Sequence, residues 1–399
     1  MSVPQEMRYT SLDGLRGVAS LVVVGYHALL IVPAVSALYV QHTNPGVLTP
    51  EWWLYATPLR LFFAGHEAVL TFFVLSGFVL ALPFLTAPLT GRSALAYYGR
   101  RVVRLYLPVW ASLLFAYALA LLIPRHPGET WLGSHHPPTP ANLWHDGILL
   151  FGTSNLNSPL WSLTWEVWFS LLMPLMFLAI RVTRAHRWWW AAIPILMLVS
   201  AAARFPVVRH ALPAAWVTDD LLQYIPIFAI GMLLAFNRQR ILAAAAHVTV
   251  WWPIIVCALL FTVSPSVLAP NGWGTAQAGW YLLSLVGVTL LVALAFGSPL
   301  AGSLDARPVQ WAGRRSFSIY LVHEPILVGA ALLVGASGWD WLLLVPLVVL
   351  IVLLTAEGFY RAVEHPTIGL SRRVGRAIGG RRSPTTGTAD RPAASVPIT

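Results

Sequence analysis

The sequence predicts an all-α polytopic membrane protein with about ten transmembrane helices and both termini in the cytoplasm. Of the 399 residues, 57% are hydrophobic and 10% are charged, and the mean hydropathy is +0.70. Soluble domains carry about 25% charged residues. Apolar runs recur from end to end, most of them near the ~20 residues that a helix needs to cross a bilayer. This pattern argues against a soluble enzyme with a single anchor.

Ten apolar runs are interpreted as membrane spans. They are 12–34, 67–87, 105–124, 158–180, 188–203, 221–236, 250–266, 278–297, 316–335 and 341–361. The fifth and sixth are short, and Pro194 and Pro226 within them permit a kink or a break. Residues 1–370 are expected to form the membrane domain. Residues 371–399, rich in Arg, Gly, Ser, Thr and Pro, are expected to form a disordered cytoplasmic tail.

The distribution of arginine sets the predicted orientation. With the N-terminus inside, 21 arginines fall in cytoplasmic segments and four in external ones, as the positive-inside rule requires. The net charge of +10 does not indicate nucleic-acid binding, because the arginines are spread between apolar runs and form no single basic face. The single cysteine, Cys257, excludes an internal disulfide and a cysteine-based metal cluster.

An arginine and a histidine share one face of the first span, LDGLRGVASLVVVGYHALLI. Arg16 and His27 are 11 residues apart, which in an α-helix is about 20° past three full turns and about 16 Å of rise. With Arg16 at the membrane surface, His27 would lie near the middle of a hydrocarbon layer ~30 Å thick. An ionisable group at that depth indicates a functional site. The alternative is a histidine held by a hydrogen bond between helices.

A carboxylate is expected at a similar depth. Glu166 lies in SPLWSLTWEVWFSLLMP, about 12 Å below the outer end of the fourth span. If Glu166 contacts His27, it fixes the tautomer of the ring and leaves the other nitrogen free to act as a base. The alternative is a structural partner for a Trp, Tyr or Arg between helices.

Two further clusters carry polar groups. Arg101 and Arg104 share a face at the cytoplasmic start of the third span and suit a phosphate-bearing ligand, or they serve only as positive-inside anchors. Ser316, Tyr320 and His323 share a face of the ninth span and either line a polar path or tie helices together. The irregularly spaced loop histidines do not indicate a metal site; they are His126, His135, His136 and His145.

Six segments resemble the membrane acyltransferase-3 family. SLDGLRGVASLVVVGYH is similar to its opening helix, with Arg or Lys, ten residues, then His. FFVLSGFVLALP resembles its second helix, RRVVRLYLP its R-x-x-R segment and PLWSLTWEVWFSLLMP its Trp-and-Glu helix. SFSIYLVHEPI resembles its penultimate helix and VEHP its Glu-x-Pro ending. The resemblance covers residues 8 to about 370, in the family's order.

The resemblance implies an enzyme that moves an acyl group, often acetyl, from acyl-CoA to a hydroxyl of a carbohydrate, glycolipid or glycosylated natural product. By this resemblance His27 would be the catalytic histidine and Arg16 its partner across the helix. Glu166, by the depth argument above, is expected to orient His27. The donor would bind Arg16, Arg101 and Arg104. Acyl-CoA, and acetyl-CoA above all, is then a co-substrate, and no cofactor is bound permanently.

We further expect a multi-pass protein of a bacterial plasma membrane, without the extracytoplasmic hydrolase-like domain that some members carry. The residues expected to line a path through the bundle are Trp161, Ser316, Tyr320 and His323. Two alternatives stay open: a transporter or flippase of a polar lipid or sugar, which would use a His/Glu proton relay, and a sensory or scaffold protein without turnover.

Overall fold

The computed structural model describes residues 9–40, 43, 45–86, 88–183, 189–205, 208, 215–245, 247–249, 251–268, 276–297, 300–336 and 338–380. Within these ranges the chain is helical and has no β-strand. The all-α fold predicted from the sequence is therefore confirmed for this part of the chain.

The helices of the described residues are α1 (Thr10–Leu30), α2 (Pro33–Val40), α3 (Pro50–Ala56), α4 (Gly65–Thr86), α5 (Gly91–Leu122), α6 (Pro140–Ile148), α7 (Leu160–Thr183), α8 (Trp189–Ala202), α9 (Ala215–Phe236), α10 (Arg238–Ala245), α11 (Trp251–Leu268), α12 (Ala276–Gly297), α13 (Leu300–Leu304), α14 (Arg307–Val334), α15 (Trp341–Phe359) and α16 (His365–Gly379). Two 3₁₀ segments, Pro58–Phe63 and Leu132–Ser134, lie in the long loops. A π segment, Tyr360–Glu364, joins α15 to α16.

Six helical segments are long and apolar enough to cross a membrane: α4, α5, α7, α12, α14 and the continuous α15–α16 rod. Two bent pairs, α1 with α2 at 111° and α9 with α10 at 74°, bring the number to eight if each pair is one span. The expected spans 188–203 and 250–266 correspond to the shorter apolar helices Trp190–Ala202 and Trp251–Thr262. The described residues thus give six to eight candidate spans, fewer than the ten expected.

Close contact between two glycines brings α1 and α14 together. A Cβ on Gly17 would lie 2.5 Å from the backbone nitrogen of Gly313, and one on Gly313 would lie 2.2 Å from the carbonyl oxygen of Asp13. Ten residues further along each helix, His27 meets His323. Because both contacts advance equally along the two chains, α1 and α14 run parallel, and the glycine contact allows the two histidines to meet.

Two apolar cores meet at α1. Its residues up to Val23 pack into a core with α4, α7, α9 and α12, where the rings of Phe169 and Phe228 stack at a centroid distance of 4.3 Å. Its residues from Val24 onward pack into a second core with α5, α7, α14 and α15. The helix that carries Arg16 and His27 is therefore held on several sides.

The helix that starts at Trp341 continues through the π segment and α16 to Gly379. Val374 and Ile378 of α16 pack on Gly99 of α5. Residues 371–379, the first part of the expected tail, are helical, because their apolar side chains find a partner helix that composition alone does not reveal. The domain boundary at residue 370 stays a prediction. Residues 381–399, the rest of the expected tail, lie outside the described part of the chain.

Candidate active site

Two histidines from distant parts of the chain form a hydrogen-bonded pair at the C-terminal end of α1. Nδ1 of His27 lies 2.9 Å from Nε2 of His323 and 3.1 Å from the carbonyl oxygen of Val23. Nδ1 of His323 lies 2.8 Å from the carbonyl oxygen of Tyr320 and 3.1 Å from that of Ile319. His323 is fully buried, whereas His27 is only partly buried and remains reachable.

These contacts fix the tautomers of the two neutral rings. A carbonyl oxygen can only accept a hydrogen bond, so Nδ1 of His323 carries a proton and its Nε2 presents a lone pair. That lone pair accepts the proton on Nδ1 of His27, which leaves Nε2 of His27 unprotonated. A reachable imidazole nitrogen with a free lone pair, held by a second group, is the arrangement of a general base.

The loop between α5 and α6 covers this pair. The ring of Trp131 stacks on the ring of His27 at a centroid distance of 5.5 Å and an interplanar angle of 29°. The backbone N–H of Trp131 donates a 2.8 Å hydrogen bond to the hydroxyl of Ser36 in α2. The bend between α1 and α2 therefore supplies an anchor for the tryptophan that lies on His27.

A buried hydrogen bond between a histidine and a carboxylate fastens the same loop to α14. Nε2 of His135 lies 2.8 Å from Oε1 of Glu324, and both side chains are 1% exposed. Oε2 of Glu324 accepts a 2.5 Å hydrogen bond from the backbone N–H of Ser158. Burial lowers the pKa of the nearby Arg125 guanidinium, and the Glu324 carboxylate offsets part of that shift. Glu324 directly follows His323, so this network fixes the loop over the histidine pair.

The position of His27 along its helix differs from the expectation. The sequence places it halfway through a span ending at residue 34, but α1 ends at Leu30 and His27 lies in its last turn. The chain then turns by 111° into α2, which begins at Pro33. The histidine therefore lies beneath ordered loop residues rather than deep within an uninterrupted helix.

The expected pair between His27 and Glu166 is wrong. Oε1 of Glu166 accepts a 2.7 Å hydrogen bond from Nη2 of Arg101 and a 3.3 Å bond from the hydroxyl of Ser76. Nε of Arg101 donates to Oγ of Ser170, one turn further along α7, at 3.0 Å. The carboxylate thus pairs with an arginine of α5, as in the structural alternative, and the ring partner of His27 is His323.

The expected donor-binding arginines gather around Arg104. The charges of Arg16 and Arg101 act on Arg104, as do those of Glu364 and Glu166. Arg101 is neutralised by Glu166 at 2.7 Å. Arg104 is exposed, and neither it nor Arg16 forms an ion pair within the described ranges. Two cations without a bound carboxylate leave room for an anionic ligand.

Comparisons with known proteins identify the family of this chain. The family model of an acyltransferase domain matches residues 9–357. The chain belongs to the acyltransferase-3 family. It is 26% identical over 394 residues to acyltransferase MdmB of Streptomyces mycarofaciens, covering 93% of this chain and 94% of that relative. No solved structure matches it. The protein is therefore a membrane enzyme that transfers acyl groups.

One of the expected path residues of this acyltransferase ties two helices together. The Tyr320 hydroxyl lies 2.7 Å from that of Ser162 and donates a 2.9 Å bond to the carbonyl of Pro159, so it ties α14 to the start of α7. Ser316 is buried, and Trp161 packs partly buried against the first core. A role in lining a path stays a prediction for these residues.

Sequence reasoning missed His135 as a part of the candidate site. Its spacing groups it with the other loop histidines as an ordinary polar residue, yet it is the one that reaches Glu324. The available signal is weak: His135 follows Trp131 by one helical turn, within a loop too long for a simple connection. In the described ranges no group of three His, Cys, Asp or Glu side chains is arranged to hold a metal ion.

Proposed function

We propose that the enzyme transfers an acyl group, in the simplest case acetyl, from acyl-CoA to a hydroxyl of a carbohydrate, glycolipid or glycosylated natural product at a bacterial plasma membrane. The observation that carries this proposal is the 2.9 Å hydrogen bond between His27 and His323, which leaves Nε2 of His27 free to accept a proton. Membership of the acyltransferase-3 family supports the reaction class.

In the proposed reaction, Nε2 of His27 accepts the proton of the acceptor hydroxyl while the hydroxyl oxygen attacks the thioester carbonyl. The new C–O bond forms, the C–S bond breaks, and His27 returns its proton to the leaving CoA thiolate. The transient imidazolium is stabilised by the bond to His323 and by the charge of Glu324, which acts on His27.

The arginine cluster supports a site for the CoA phosphates. Arg16 precedes His27 by about 16 Å along α1, a distance that the slender pantetheine arm can cover. Arg16 and Arg104 are the cations available to phosphate oxygens, whereas Arg101 is held by Glu166 and positions the cluster. The donor would thus bind at the N-terminal end of α1 and extend its thioester towards His27.

Replacing Arg104 tests the donor site. We expect Arg104→Ala to weaken acyl-CoA binding by about 10-fold or more, because a charge-assisted contact contributes ~1.5–3 kcal/mol, and to reduce the salt dependence of binding. The measurement is CoA affinity of the purified protein at several salt concentrations. Arg240→Ala, at an exposed arginine after α9, is the control. Unchanged affinity and salt response in Arg104→Ala would show that the arginine only anchors the topology.

We also propose ten spans with both termini in the cytoplasm. The arginine count supports this orientation, and the parallel course of α1 and α14 agrees with two spans that start on the same side. The donor would then enter from the cytosol, at the arginine-rich ends of these helices.

Cysteine labelling tests the orientation. In a Cys257→Ala background, Gly128→Cys lies in the exposed loop after α5, and Gly302→Cys lies in α13 with no atom within 4 Å of its added Cβ. We expect an impermeant maleimide to label position 128 in intact cells and position 302 only after permeabilisation. Labelling of position 302 in intact cells would invert the proposed orientation.

A deletion strain tests the proposed reaction whatever the acceptor is. Mass spectrometry of its surface glycans, lipids and secreted products should reveal one compound that has lost an acyl group. The wild-type gene should restore it, and the His27→Ala gene should not. An unchanged acylation profile, together with altered solute distribution across the membrane, would instead favour the transporter interpretation.

A further inference from the structure

A second polar site lies beside the histidine pair. A half-open cavity of about 170 Å³ is lined by the C-terminal end of α1, the segment before α4, and the starts of α4 and α12. Its polar wall consists of Arg60, His66, Glu67 and Arg204, and Trp280 adds an aromatic surface. The reaction proposed above uses none of these side chains.

The centre of the polar wall is a buried ion pair. Nη2 of Arg60 lies 2.7 Å from Oε1 of Glu67, and the two side chains are only 4% and 3% exposed. Nη1 of Arg60 also donates to the carbonyl oxygen of Phe261 in α11. Oε1 of Glu67 also accepts a 3.2 Å hydrogen bond from the hydroxyl of Ser284 in α12. Three helices thus hold this pair in one geometry.

Some polar atoms of this ion pair and of its neighbours have no hydrogen-bond partner in the described part of the chain. Within the described residues, four buried atoms that belong to cavity-lining side chains have no hydrogen-bond partner; they are Nε of Arg60, Nε2 of His66, Oε2 of Glu67 and Nε of Arg204. Buried polar groups are normally paired, because desolvating them without a partner costs free energy. Four such atoms around one cavity indicate a site for a polar ligand.

The chemistry of the wall selects a neutral polyhydroxyl ligand. An anion would face the Glu67 carboxylate, and a cation would face Arg60 and Arg204. The wall offers N–H donors together with a carboxylate acceptor, and a hydroxyl group both donates and accepts. Trp280 also lines the cavity, and its ring lies 5.8 Å from the Arg60 guanidinium; this aromatic surface suits contact with the C–H groups of a sugar ring.

The cavity adjoins the proposed catalytic histidine. Tyr26, which lines the cavity, precedes His27 in the chain, and the two rings meet edge to face at a centroid distance of 5.2 Å. The volume is below the roughly 300–1,000 Å³ of pockets for drug-sized ligands, so it accommodates one ring rather than a chain of them. A ligand bound here would hold its next hydroxyl or next ring towards His27.

We propose that this cavity is the acceptor site of the acyltransferase and binds one neutral sugar ring through Arg60, His66, Glu67 and Arg204. The assignment deepens the proposed function and rests on it. It makes His66 and Arg204 specificity residues, distinct from the catalytic His27.

Direct binding measurements test the site. The full-length wild-type protein in nanodiscs is examined by saturation-transfer NMR with the methyl glycosides of glucose, galactose, mannose and rhamnose as probes. We expect at least one glycoside to bind. We expect His66→Ala to weaken its binding by about 2–10-fold, because one neutral hydrogen bond is lost. We expect Arg204→Gln to weaken it by about 10-fold, because a hydrogen bond from a charged group is lost. Acyl-CoA affinity should stay unchanged in both variants.

Matched variants control for general effects on the fold. His126→Ala and Arg240→Gln change the same residue types at exposed positions away from the cavity, and both should bind the glycoside like the wild type. The His27→Ala protein should also bind it normally, because this readout does not need turnover. Normal glycoside binding with no acylated product from any acceptor would contradict the proposed reaction while leaving the sugar site standing.

Three results would overturn the sugar site. The first is the failure of all four glycosides to bind the wild-type protein. The second is glycoside binding that is unchanged when His66→Ala and Arg204→Gln are combined. The third is tighter binding of inorganic phosphate or glucuronate than of any neutral glycoside, competed at the same site, which would make the cavity an anion site.

Discussion

The His27→Ala variant is expected to lose about 10²–10⁴-fold in kcat for acyl transfer, the range that a positioned general base contributes. The reason is the hydrogen bond from Nδ1 of His27 to His323, which leaves Nε2 as the proton acceptor beside the incoming hydroxyl. Alanine removes that acceptor, and the fully buried His323 cannot replace it. The measurement is transfer of radiolabelled acetyl from acetyl-CoA to the acceptor by the purified protein.

Two observations separate loss of chemistry from loss of fold in this variant. The His27→Ala protein should keep its expression level and its acyl-CoA affinity, because the arginine cluster lies about 16 Å away along α1. His126→Ala, at an exposed loop position, should retain full activity. A His27→Ala protein that still transfers acetyl within a few-fold of the wild-type rate would remove His27 from the mechanism.

The Gly313→Ala variant is expected to be less stable by about 1–3 kcal/mol, the usual effect of overpacking a tight contact. Its new Cβ would lie 2.2 Å from the carbonyl oxygen of Asp13, which is backbone and cannot rotate away. The helices α1 and α14 must separate, and the contact between His27 and His323 lengthens with them. We therefore expect a lower thermal unfolding temperature together with a lower kcat, measured on the same purified sample.

A glycine elsewhere in the bundle provides the matched control. Gly358 lies in α15 with no atom within 4 Å of an added Cβ, and alanine favours a helix over glycine by about 1 kcal/mol. Gly358→Ala should therefore be as stable as the wild type or more so, with unchanged activity. Equal unfolding temperatures for Gly313→Ala and Gly358→Ala would show that the glycine contact does not hold α1 against α14.

The sequence predicts the parts of this site that depend on spacing within one helix. The shared face of Arg16 and His27, and the position of His323 in an apolar helix, follow from helical periodicity. The pairing between them does not, because His27 and His323 are 296 positions apart and a contact across α1 and α14 depends on which helices pack. For the same reason the sequence does not decide between His27 and an arginine as the partner of Glu166, and the structure shows the arginine.

The contacts of loop residues in the site are harder to predict from the sequence than those of helical residues. The burial of His135 depends on the path of the loop between α5 and α6, and nothing in its local sequence separates it from His136. The ion pair of Arg60 with Glu67 could not be predicted from the sequence either. By sequence Arg60 belongs to an external loop, whereas in the structure the 3₁₀ segment before α4 directs it inward. Composition and hydropathy thus indicate the fold class, whereas the polar contacts require the packed structure.

The most direct test of the account is a double-mutant cycle on the histidine pair, measured as kcat for acyl transfer. We expect His323→Ala alone to lower kcat by about 10–150-fold, because it removes a hydrogen bond that becomes charge-assisted when His27 is protonated. In the His27→Ala background the same change should lower kcat by less than about 2-fold, since residues that act as a unit are not additive. If His323→Ala lowered kcat by the same factor in the wild-type and His27→Ala backgrounds, the claim that His323 acts through His27 would be contradicted.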